Sequence, residues 1–481
     1  MRRLGMLFTS LLAIAVLSSC GGGNGGASSP PSPVLASIAL TPASGTLELG
    51  SNQTFTATGT LTDNTTRDVT QTATWSSSDT TVLLLNNSAG RIGVANTRGP
   101  GMATVTAAVG SIMGTTQATV VRPTPRFLYA SNVTTTSGAI TAFRVDPTTG
   151  ALTAIGTPDT TASTRSSLAV TRDSKFLYVA EGSPGVPDGY VSARAIQADG
   201  SLAQIPGSPF PFVDGVGGVV AHPTANFLFV STQVGVTVAA YDPISGIPTT
   251  VSTVKVGDSS VAAAAPNGSR LYFYQAFYDY PTGGWQIAGF SVNSANEALS
   301  ELPSGSIQTY PHDCFDPQVP NYYPKAVAVD PTGKFLYVAI ASGDTICVSS
   351  SVDAYSIDPV SGAMTQIPGS PFTAGTVPVS VAAEASGRFL YVANNISSSV
   401  SAFAINPDTG TLTEIAGSPF GTASPPSFVV ADPSGLFLYV GTASGILGFT
   451  IDQATGALQT NPGANAPGSA GNDVVYIAVT H

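Results

Sequence analysis

Hydrophobic and polar residues alternate in short runs along most of the chain, and Gly, Pro, Asp and Asn separate these runs. From residue 126 onward one apolar run recurs, as RFLYASN (126), KFLYVAE (175), NFLFVST (226), RLYFYQA (270), KFLYVAI (334), RFLYVAN (388) and LFLYVGT (436). Each copy holds four strand-sized runs, shown in the fifth copy by PKAVAVD, KFLYVAI, SVDAYSI and GAMTQI. Seven units of four strands predict an all-β fold with a seven-bladed β-propeller over residues 122–481.

The turns between these runs repeat as well. Asp146-Pro147, Asp242-Pro243, Asp358-Pro359 and Asn406-Pro407 each lead to a glycine three residues after the proline. Proline presets the first turn torsion, the Asp or Asn side chain bonds backbone amides, and glycine takes a positive φ. We therefore interpret these acids as turn residues and predict no metal site. His222 occupies the Asp position of a strand-to-strand turn, and we expect it at the surface of that turn.

The first copy lacks an inner strand, because PTPRFLYA has no counterpart of PKAVAVD ahead of it. The segment DVVYIAVT at 473–480 is a strand without a copy of its own. We predict that it becomes the innermost strand of blade one, which would close the ring and leave no open edge.

Residues 34–121 form a separate alternating pattern with seven or so short strands, which suits an immunoglobulin-like sandwich. The stretch TWSSSD at 74–79, followed by GRIGVA and GMATVTA, resembles the bacterial immunoglobulin-like group 2 domain. The resemblance implies a spacer or adhesive module. We interpret Trp75 as a core aromatic rather than as a platform for a ligand.

The N-terminal residues have the pattern of an export signal: a basic start, an apolar stretch from Leu7 to Leu17, and small residues before Cys20. LSSC resembles the lipobox of bacterial lipoproteins, which implies a signal peptide at 1–19 and lipid on Cys20. Residues 20–33 are rich in Gly, Ser and Pro and suit a tether. An ordinary secretory signal is the alternative. The resemblance implies a lipid-anchored, extracytoplasmic protein of the bacterial cell envelope, at the outer membrane or cell surface.

The net charge of the chain limits the classes of ligand that it is expected to bind. The formal net charge is −11, with 17 Lys and Arg, and no basic run follows the first three residues. A nucleic acid needs a basic stripe along its phosphates, so we predict no nucleic acid partner. No glycine-rich loop lies between a strand and a helix, and no cofactor is predicted. In an oxidising compartment, Cys314 and Cys347 become candidates for a disulfide.

Two repeated strings, AxDPTGKFLYVA and DPxSGx(M/L)TxIPGSPF, resemble the lactonase family of seven-bladed propellers, which includes 6-phosphogluconolactonase-like proteins. The resemblance lies in framework and turn residues, so it assigns no catalytic residue, and the fold itself carries little functional weight. A phosphorylated sugar lactone is a poor match for an exported, acidic chain. The resemblance therefore implies a different lactone if the protein is an enzyme.

Four long segments interrupt the repeats: 181–190, 275–286, 308–324 and 341–351. In a four-stranded blade all four would emerge on one face, over blades two, four and five. The candidate ligand-binding residues in them are Tyr278, Tyr280, Trp285, Tyr310, Asp316, Tyr322 and Tyr323. Aromatic faces beside carboxylates suit a sugar. Packing of the long loops into a small core of their own is the alternative.

These residues lead to two main functional hypotheses. The first is binding of a glycan or a surface protein on the loop-built face. The second is a lactone or ester hydrolase in which His312 is the general base and Asp313 orients it. A purely structural adhesive rod is a third possibility, and it would tolerate loss of residues 308–324.

Overall fold

The structure is a computed structural model that describes fifteen stretches of the chain. They are residues 32–48, 52–88, 91–98, 101–121, 126–133, 138–161, 166–182, 188–213, 215–255, 259–277, 284–293, 298–308, 322–342, 350–467 and 473–480. Strands and turns account for almost all of these residues, and one short 3-10 turn occupies Pro462–Ala464. The described part of the chain contains no helix long and apolar enough to cross a membrane.

The N-terminal part is all-β. Its strands are β1 (Leu35–Thr41), β2 (Ser44–Glu48), β3 (Asn52–Thr54), β4 (Thr56–Leu61), β5 (Thr66–Asp68), β6 (Thr74–Ser77), β7 (Leu83–Leu85), β8 (Val94–Thr97), β9 (Gly101–Val109) and β10 (Ile112–Val121). They form three sheets, ordered β1-β4-β5, β2-β10-β9-β6 and β3-β8-β7. Alternate residues of these strands meet in one hydrophobic core. Trp75 lies in that core with 2% of its surface exposed and packs against Phe55, as predicted.

The remaining strands form seven blades, four of which have a short fifth strand in addition to the four of the repeat, and this arrangement confirms the propeller. Blade one contains β11 (Arg126–Val133), β12 (Gly138–Val145) and β13 (Leu152–Thr161), and blade two contains β14 (Ser166–Val170), β15 (Phe176–Glu181), β16 (Asp188–Ile196), β17 (Leu202–Gln204) and β18 (Phe210–Val213). Blade three contains β19 (Val216–Ala221), β20 (Phe227–Thr232), β21 (Gly235–Tyr241) and β22 (Pro248–Lys255). Blade four contains β23 (Ser259–Ala264), β24 (Arg270–Phe277), β25 (Gly284–Val292) and β26 (Leu299–Gln308).

Blades five to seven continue the pattern. Blade five contains β27 (Tyr322–Val329), β28 (Phe335–Ser342), β29 (Ser351–Ile357), β30 (Met364–Gln366) and β31 (Phe372–Thr373). Blade six contains β32 (Pro378–Ala383), β33 (Phe389–Asn394), β34 (Ser399–Ile405), β35 (Leu412–Glu414) and β36 (Phe420–Gly421). Blade seven contains β37 (Pro426–Ala431), β38 (Phe437–Thr442), β39 (Gly445–Ile451), β40 (Leu458–Thr460) and β41 (Ala466–Pro467). In these blades, as in blades two to four, the first four strands run from inside to outside in chain order, and each pairs antiparallel with the next. The short fifth strands β18, β31, β36 and β41 pair with the third strand of their blade. The second strands are buried on both faces between neighbouring blades, which explains their continuous apolar runs.

The last strand of the propeller, β42 (Asp473–Val479), closes the ring. It pairs antiparallel with β11 of blade one, with Leu128 opposite Val479 and Ala130 opposite Ile477. It also contacts the inner strands of blades two and seven. The prediction for residues 473–480 is therefore confirmed. A buried ion pair also joins blades one and seven, because Nη1 of Arg126 in blade one lies 2.7 Å from Oδ1 of Asp432 in blade seven.

A tyrosine at the third position of the repeated FLY motif joins each blade to the next. Its hydroxyl donates to the carbonyl oxygen of the glycine in the outer turn of the following blade. The pairs are Tyr129–Gly200 (2.9 Å), Tyr178–Gly246 (2.6 Å), Tyr272–Gly362 (3.4 Å), Tyr337–Gly410 (3.0 Å), Tyr391–Gly456 (2.9 Å) and Tyr439–Gly150 (2.8 Å). Blade three has Phe229 at this position. Burial raises the pKa of these tyrosines, so the hydroxyls stay neutral donors.

The outer turns have the predicted chemistry. In the turn of blade one, the Asp146 carboxylate accepts hydrogen bonds from the backbone amides of Thr148 (2.9 Å) and Thr149 (2.7 Å), and Gly150 has a φ of 70°. Asp242, Asp358 and Asn406 accept the same pair of amide hydrogen bonds in their own blades. These contacts explain why an acid or amide recurs at this position.

His222 also has a turn role, but the expectation that it lies at the surface was wrong. Only 2% of its surface is exposed. Its Nδ1 accepts hydrogen bonds from the backbone amides of Thr224 (3.2 Å) and Ala225 (2.9 Å) and is therefore unprotonated. The proton of the neutral ring is then on Nε2, which donates a hydrogen bond to the Gly268 carbonyl oxygen at 2.8 Å. Burial lowers the pKa of this imidazole. His222 thus links blades three and four as a neutral side chain.

Candidate functional site

The two faces of the propeller carry different connections. The turns between strands one and two and between strands three and four lie on one face, which we call the turn face. The loops between strands two and three and the links to the next blade lie on the other, the loop face. The four long segments fall between β15 and β16, β24 and β25, β26 and β27, and β28 and β29. The strand ends that flank all four therefore lie on the loop face of blades two, four and five, while most residues of the segments lie outside the described ranges.

Most of the side chains predicted for this face lie outside the described residues. These are Tyr278, Tyr280, Tyr310, His312, Asp313, Cys314, Asp316 and Cys347, and Cys20 is also outside. The backbones of the other three are described. Trp285 is opposite Ala276 in blade four, while Tyr322 and Tyr323 are opposite Ser342 and Ala341 in blade five. These three positions therefore lie at the loop-face ends of adjacent blades.

A buried carboxylate that sequence reasoning missed lies at the same end of blade five. Asp353 is in β29, the strand that follows the long segment after β28, and it is 6% exposed. Its Oδ1 lies 3.4 Å from the Ser351 hydroxyl and its Oδ2 lies 3.4 Å from the Tyr355 hydroxyl. Burial raises the pKa of Asp353 to about 6, and the two long hydrogen bonds only partly oppose this effect. The side chain can therefore exchange a proton near neutral pH.

The repeats show that the fold does not require a carboxylate at this position. The residues that occupy the same place in the third strand of the other blades are Thr141, Ser192, Thr237, Ala288, Ser401 and Leu447. All of them are uncharged, and Ser401 uses its hydroxyl to accept the amides of Gly375 and Asn394. Asp353 thus carries a desolvation cost that its six counterparts avoid. A charge retained at such a cost marks a candidate functional residue.

Tyr355, which contacts this carboxylate, packs at the interface between blades four and five. Tyr355 belongs to the buried cluster that contains Tyr272 and Tyr274 of blade four. The Tyr274 hydroxyl donates to the carbonyl oxygen of Lys325 at 3.2 Å. Lys325 lies where the register of inner strand β27 shifts, between Pro324 and Ala326. The hydrogen bond from Tyr274 therefore connects this irregular part of the inner strand to blade four.

Similar bulges occur in the inner strands of blades one, three, four, six and seven. They lie near the loop-face ends of these strands, beside the ring axis. A sequence pattern of alternating residues cannot reveal them, because a bulge is defined by the pairing of two strands. The loop face therefore combines irregular inner strands with long connections, which is where ligand sites of rigid scaffolds usually lie.

The turn face has a groove of about 760 Å³ between blades four and five, which the outer turn of blade six also lines. Its charged residues are Arg270, Lys334 and Asp408. The described part of the chain contains no cluster of three or more His, Cys, Asp or Glu side chains that could hold a metal ion.

Comparison with known proteins identifies the propeller. The family model described as "Lactonase, 7-bladed beta-propeller" matches residues 57–206, 284–420 and 348–476, which together cover more than half of the chain. The structure resembles that of the periplasmic gluconolactonase of Pseudomonas aeruginosa, with a TM-score of 0.55 and 18% identity over 74% of this chain and 99% of that one. It also resembles a protein of Bacteroides fragilis provisionally described as a 6-phosphogluconolactonase, with a TM-score of 0.58 and 17% identity over 74% and 98% of the two chains.

At these identities the two structural likenesses establish the fold alone. A curated relative matches a shorter stretch of the chain. It is Ice-binding protein 1 of Shewanella frigidimarina, which is 40% identical over 107 residues, or 22% of this chain. The chain spans 12% of that relative's length.

Proposed function

The chain belongs to the seven-bladed β-propeller Lactonase family, and from that premise we propose that it is an exported lactone hydrolase. The family match supports hydrolysis of a lactone ring more directly than binding of a glycan or surface protein. A structural neighbour that is named as a periplasmic gluconolactonase supports the same reaction outside the cytoplasm. The net charge of −11 favours a neutral lactone over a phosphorylated one.

The single observation that assigns the reaction to a residue is the raised pKa of the Asp353 carboxyl. A general base works best when its pKa lies near the working pH, and the pKa of Asp353 is raised to about 6. In the proposed reaction, the ionised carboxylate takes a proton from a water whose oxygen attacks the lactone carbonyl carbon. The ring C–O bond then breaks, and the proton passes to the departing alkoxide. Ser351 and Tyr355 hold the carboxylate by their hydroxyl groups.

The residues predicted on the long loops have a place in this proposal. Trp285, Tyr322 and Tyr323 lie within the first two residues of β25 and β27, in the two blades that meet at Tyr355, so they would form part of the substrate's surroundings. His312, with Asp313, remains the alternative general base. A disulfide between Cys314 and Cys347 would hold two of the loops in one shape, and about 33 residues in its closed loop correspond to roughly 3 to 4 kcal/mol on the chain-entropy model.

For the N-terminal part we propose a bacterial immunoglobulin-like spacer at 34–121, tethered to the cell envelope by lipid on Cys20. The three sheets around one core, with Trp75 buried inside, support the spacer. The apolar stretch and LSSC motif support the lipid. Labelling with radioactive palmitate tests this assignment, since Cys20→Ala should abolish incorporation. Label retained by that variant would refute it.

Acid release from a panel of neutral sugar and aliphatic lactones tests the hydrolase. We expect turnover by the unaltered protein and a loss of at least about 100-fold in Asp353→Asn, in line with removal of a general base. Asp358→Asn is a matched control, because it makes the same change in the same blade on the turn face, where blade six naturally has Asn406. Turnover that survives Asp353→Asn but not His312→Ala would move the base to residues 308–324. Absence of turnover across the panel would refute the hydrolase and favour ligand binding.

A further inference from the structure

The groove on the turn face is a second site, separate from the one proposed for hydrolysis. Turns of blades four, five and six, which are distant in sequence, line its volume of about 760 Å³. Small-molecule sites are commonly about 300–1,000 Å³ in volume. Because Asp353 lies at the loop-face end of blade five, the groove is on the opposite side of the ring.

The guanidinium of Arg270 is fixed in this groove with part of its donor capacity unused. Its Nη2 donates to the carbonyl oxygens of Pro359 (2.7 Å) and Val360 (3.0 Å) in the outer turn of blade five. Its Nε and Nη1 have no acceptor among the residues that the structure describes. A guanidinium held in this way has already lost much of its conformational freedom, so it binds an oxyanion at a reduced entropic cost.

Lys334 supplies a second cation, and the repeats show that it is unusual. The residue just before the FLY motif is cationic in three other blades, and each of those cations has a partner. Arg126 pairs with Asp432, Lys175 lies 3.4 Å from Asp173, and Arg388 donates to the Gln453 carbonyl oxygen at 2.7 Å. Within the described ranges, the Lys334 ammonium has no ion pair or hydrogen bond. It is exposed and lines the groove with Arg270.

The rest of the groove suits a hydroxylated ligand. Asp408 is exposed, lines the groove and can accept hydrogen bonds from hydroxyl groups. The prolines at 266, 331 and 359 offer apolar surface for the CH groups of a sugar. Two cations for a carboxylate, one acid for hydroxyls and apolar walls for CH groups together match an acidic sugar.

We propose that this turn-face groove binds the carboxylate-bearing residue of an acidic saccharide, such as a uronate or an aldonate. Arg270 and Lys334 hold the carboxylate, and Asp408 selects hydroxylated ligands over simple carboxylates. Binding here is independent of lactone hydrolysis on the loop face. The protein would then hold an acidic glycan of its surroundings with one face and present its hydrolytic site on the other.

Isothermal titration of the full chain with glucuronate, gluconate and neutral glucose tests the proposal. We expect the two acids to bind and glucose to show no binding at the same concentrations. Lys334→Gln should weaken both acids about fivefold, as expected for loss of one partly exposed charge contact. Lys175→Gln is the matched control, because Lys175 has the same place in blade two but lies outside the groove, and it should leave binding unchanged. Added salt should weaken binding to the unaltered protein.

Three results would overturn the proposal: no binding of either acid, equal binding of glucose, or equal weakening by the two lysine variants. Asp353→Asn separates this site from the hydrolytic one. We expect it to bind glucuronate normally while it loses turnover. Loss of glucuronate binding in Asp353→Asn but not in Lys334→Gln would place the acid on the loop face and refute a site in the groove.

Discussion

Asp353→Asn should stabilise the folded protein at neutral and alkaline pH. The carboxyl of Asp353 is 6% exposed and has only two long hydrogen bonds, so its ionised form is poorly solvated. Its pKa rises from 3.8 to about 6 on folding. Between these values the folded protein keeps a proton that the unfolded chain has released. The stability from this group is therefore full below pH 3.8 and is lost as the pH rises through about 6.

The size of the effect follows from the shift. One pKa unit corresponds to about 1.4 kcal/mol, so a shift of roughly two units corresponds to about 3 kcal/mol. Asparagine fills the same space and carries no charge, so the variant avoids this cost. We expect it to be more stable than the unaltered protein by up to about 3 kcal/mol at pH 8, and the difference should disappear near pH 4.

Urea unfolding at pH 4, 6 and 8 measures this difference. Asp358→Asn provides a control of opposite sign, because hydrogen bonds from Ser361 lower the pKa of Asp358. That carboxylate stabilises the protein above its unfolded pKa and loses its effect as the pH falls, so its removal should cost stability at pH 8. A gain for Asp353→Asn that is the same at pH 4 and pH 8, or no gain at either, would refute the reasoning. Loss of turnover in the same stabilised variant would indicate a charge kept for function.

Three further single variants and one double variant test the contacts between blades. Tyr391→Phe should cost about 1 to 2 kcal/mol, because it removes the hydrogen bond to the buried Gly456 carbonyl oxygen. Tyr241→Phe should be neutral or stabilising, since the buried Tyr241 hydroxyl has no hydrogen-bond partner among the described residues. Equal losses for the two tyrosine variants in urea unfolding would contradict this contrast. Arg126→Met should cost about 3 to 5 kcal/mol because it leaves Asp432 charged and buried, and a double variant that adds Asp432→Asn should recover part of the loss. Failure of the second change to restore any stability would show that the pair does not act as a unit.

The sequence predicted the propeller in detail because its repeats carry local signals. The FLY runs, the Asp-Pro turns and the solitary strand at 473–480 each lie within a few residues, and each has one structural meaning in a repeated blade. The burial of His222 was missed because it depends on Gly268 of the neighbouring blade. The groove was missed for a similar reason, since Arg270, Lys334 and Asp408 meet only after three blades have packed together.

Asp353 could have been found from the sequence. An alignment of the third strands of blades five and six, SVDAYSI and SVSAFAI, shows a carboxylate where the repeat has serine. In a repeat protein, residues that depart from the repeat at buried positions are informative, because their counterparts show what the fold alone requires.

The pairing of β42 with β11 also affects the order in which this protein can fold. The first strand of blade one, β11, is synthesised before all the other propeller strands. Its inner neighbour β42 is synthesised last, after the six other blades, so Leu128 cannot pair with Val479 until the whole propeller has been made. Until then, the inner edge of β11 exposes unpaired amide and carbonyl groups that can join a strand of another molecule. Closure depends on contact between distant segments, which is slow. If the chain is exported unfolded, as proposed above, this delay would keep the ring open until translocation has passed the seventh blade.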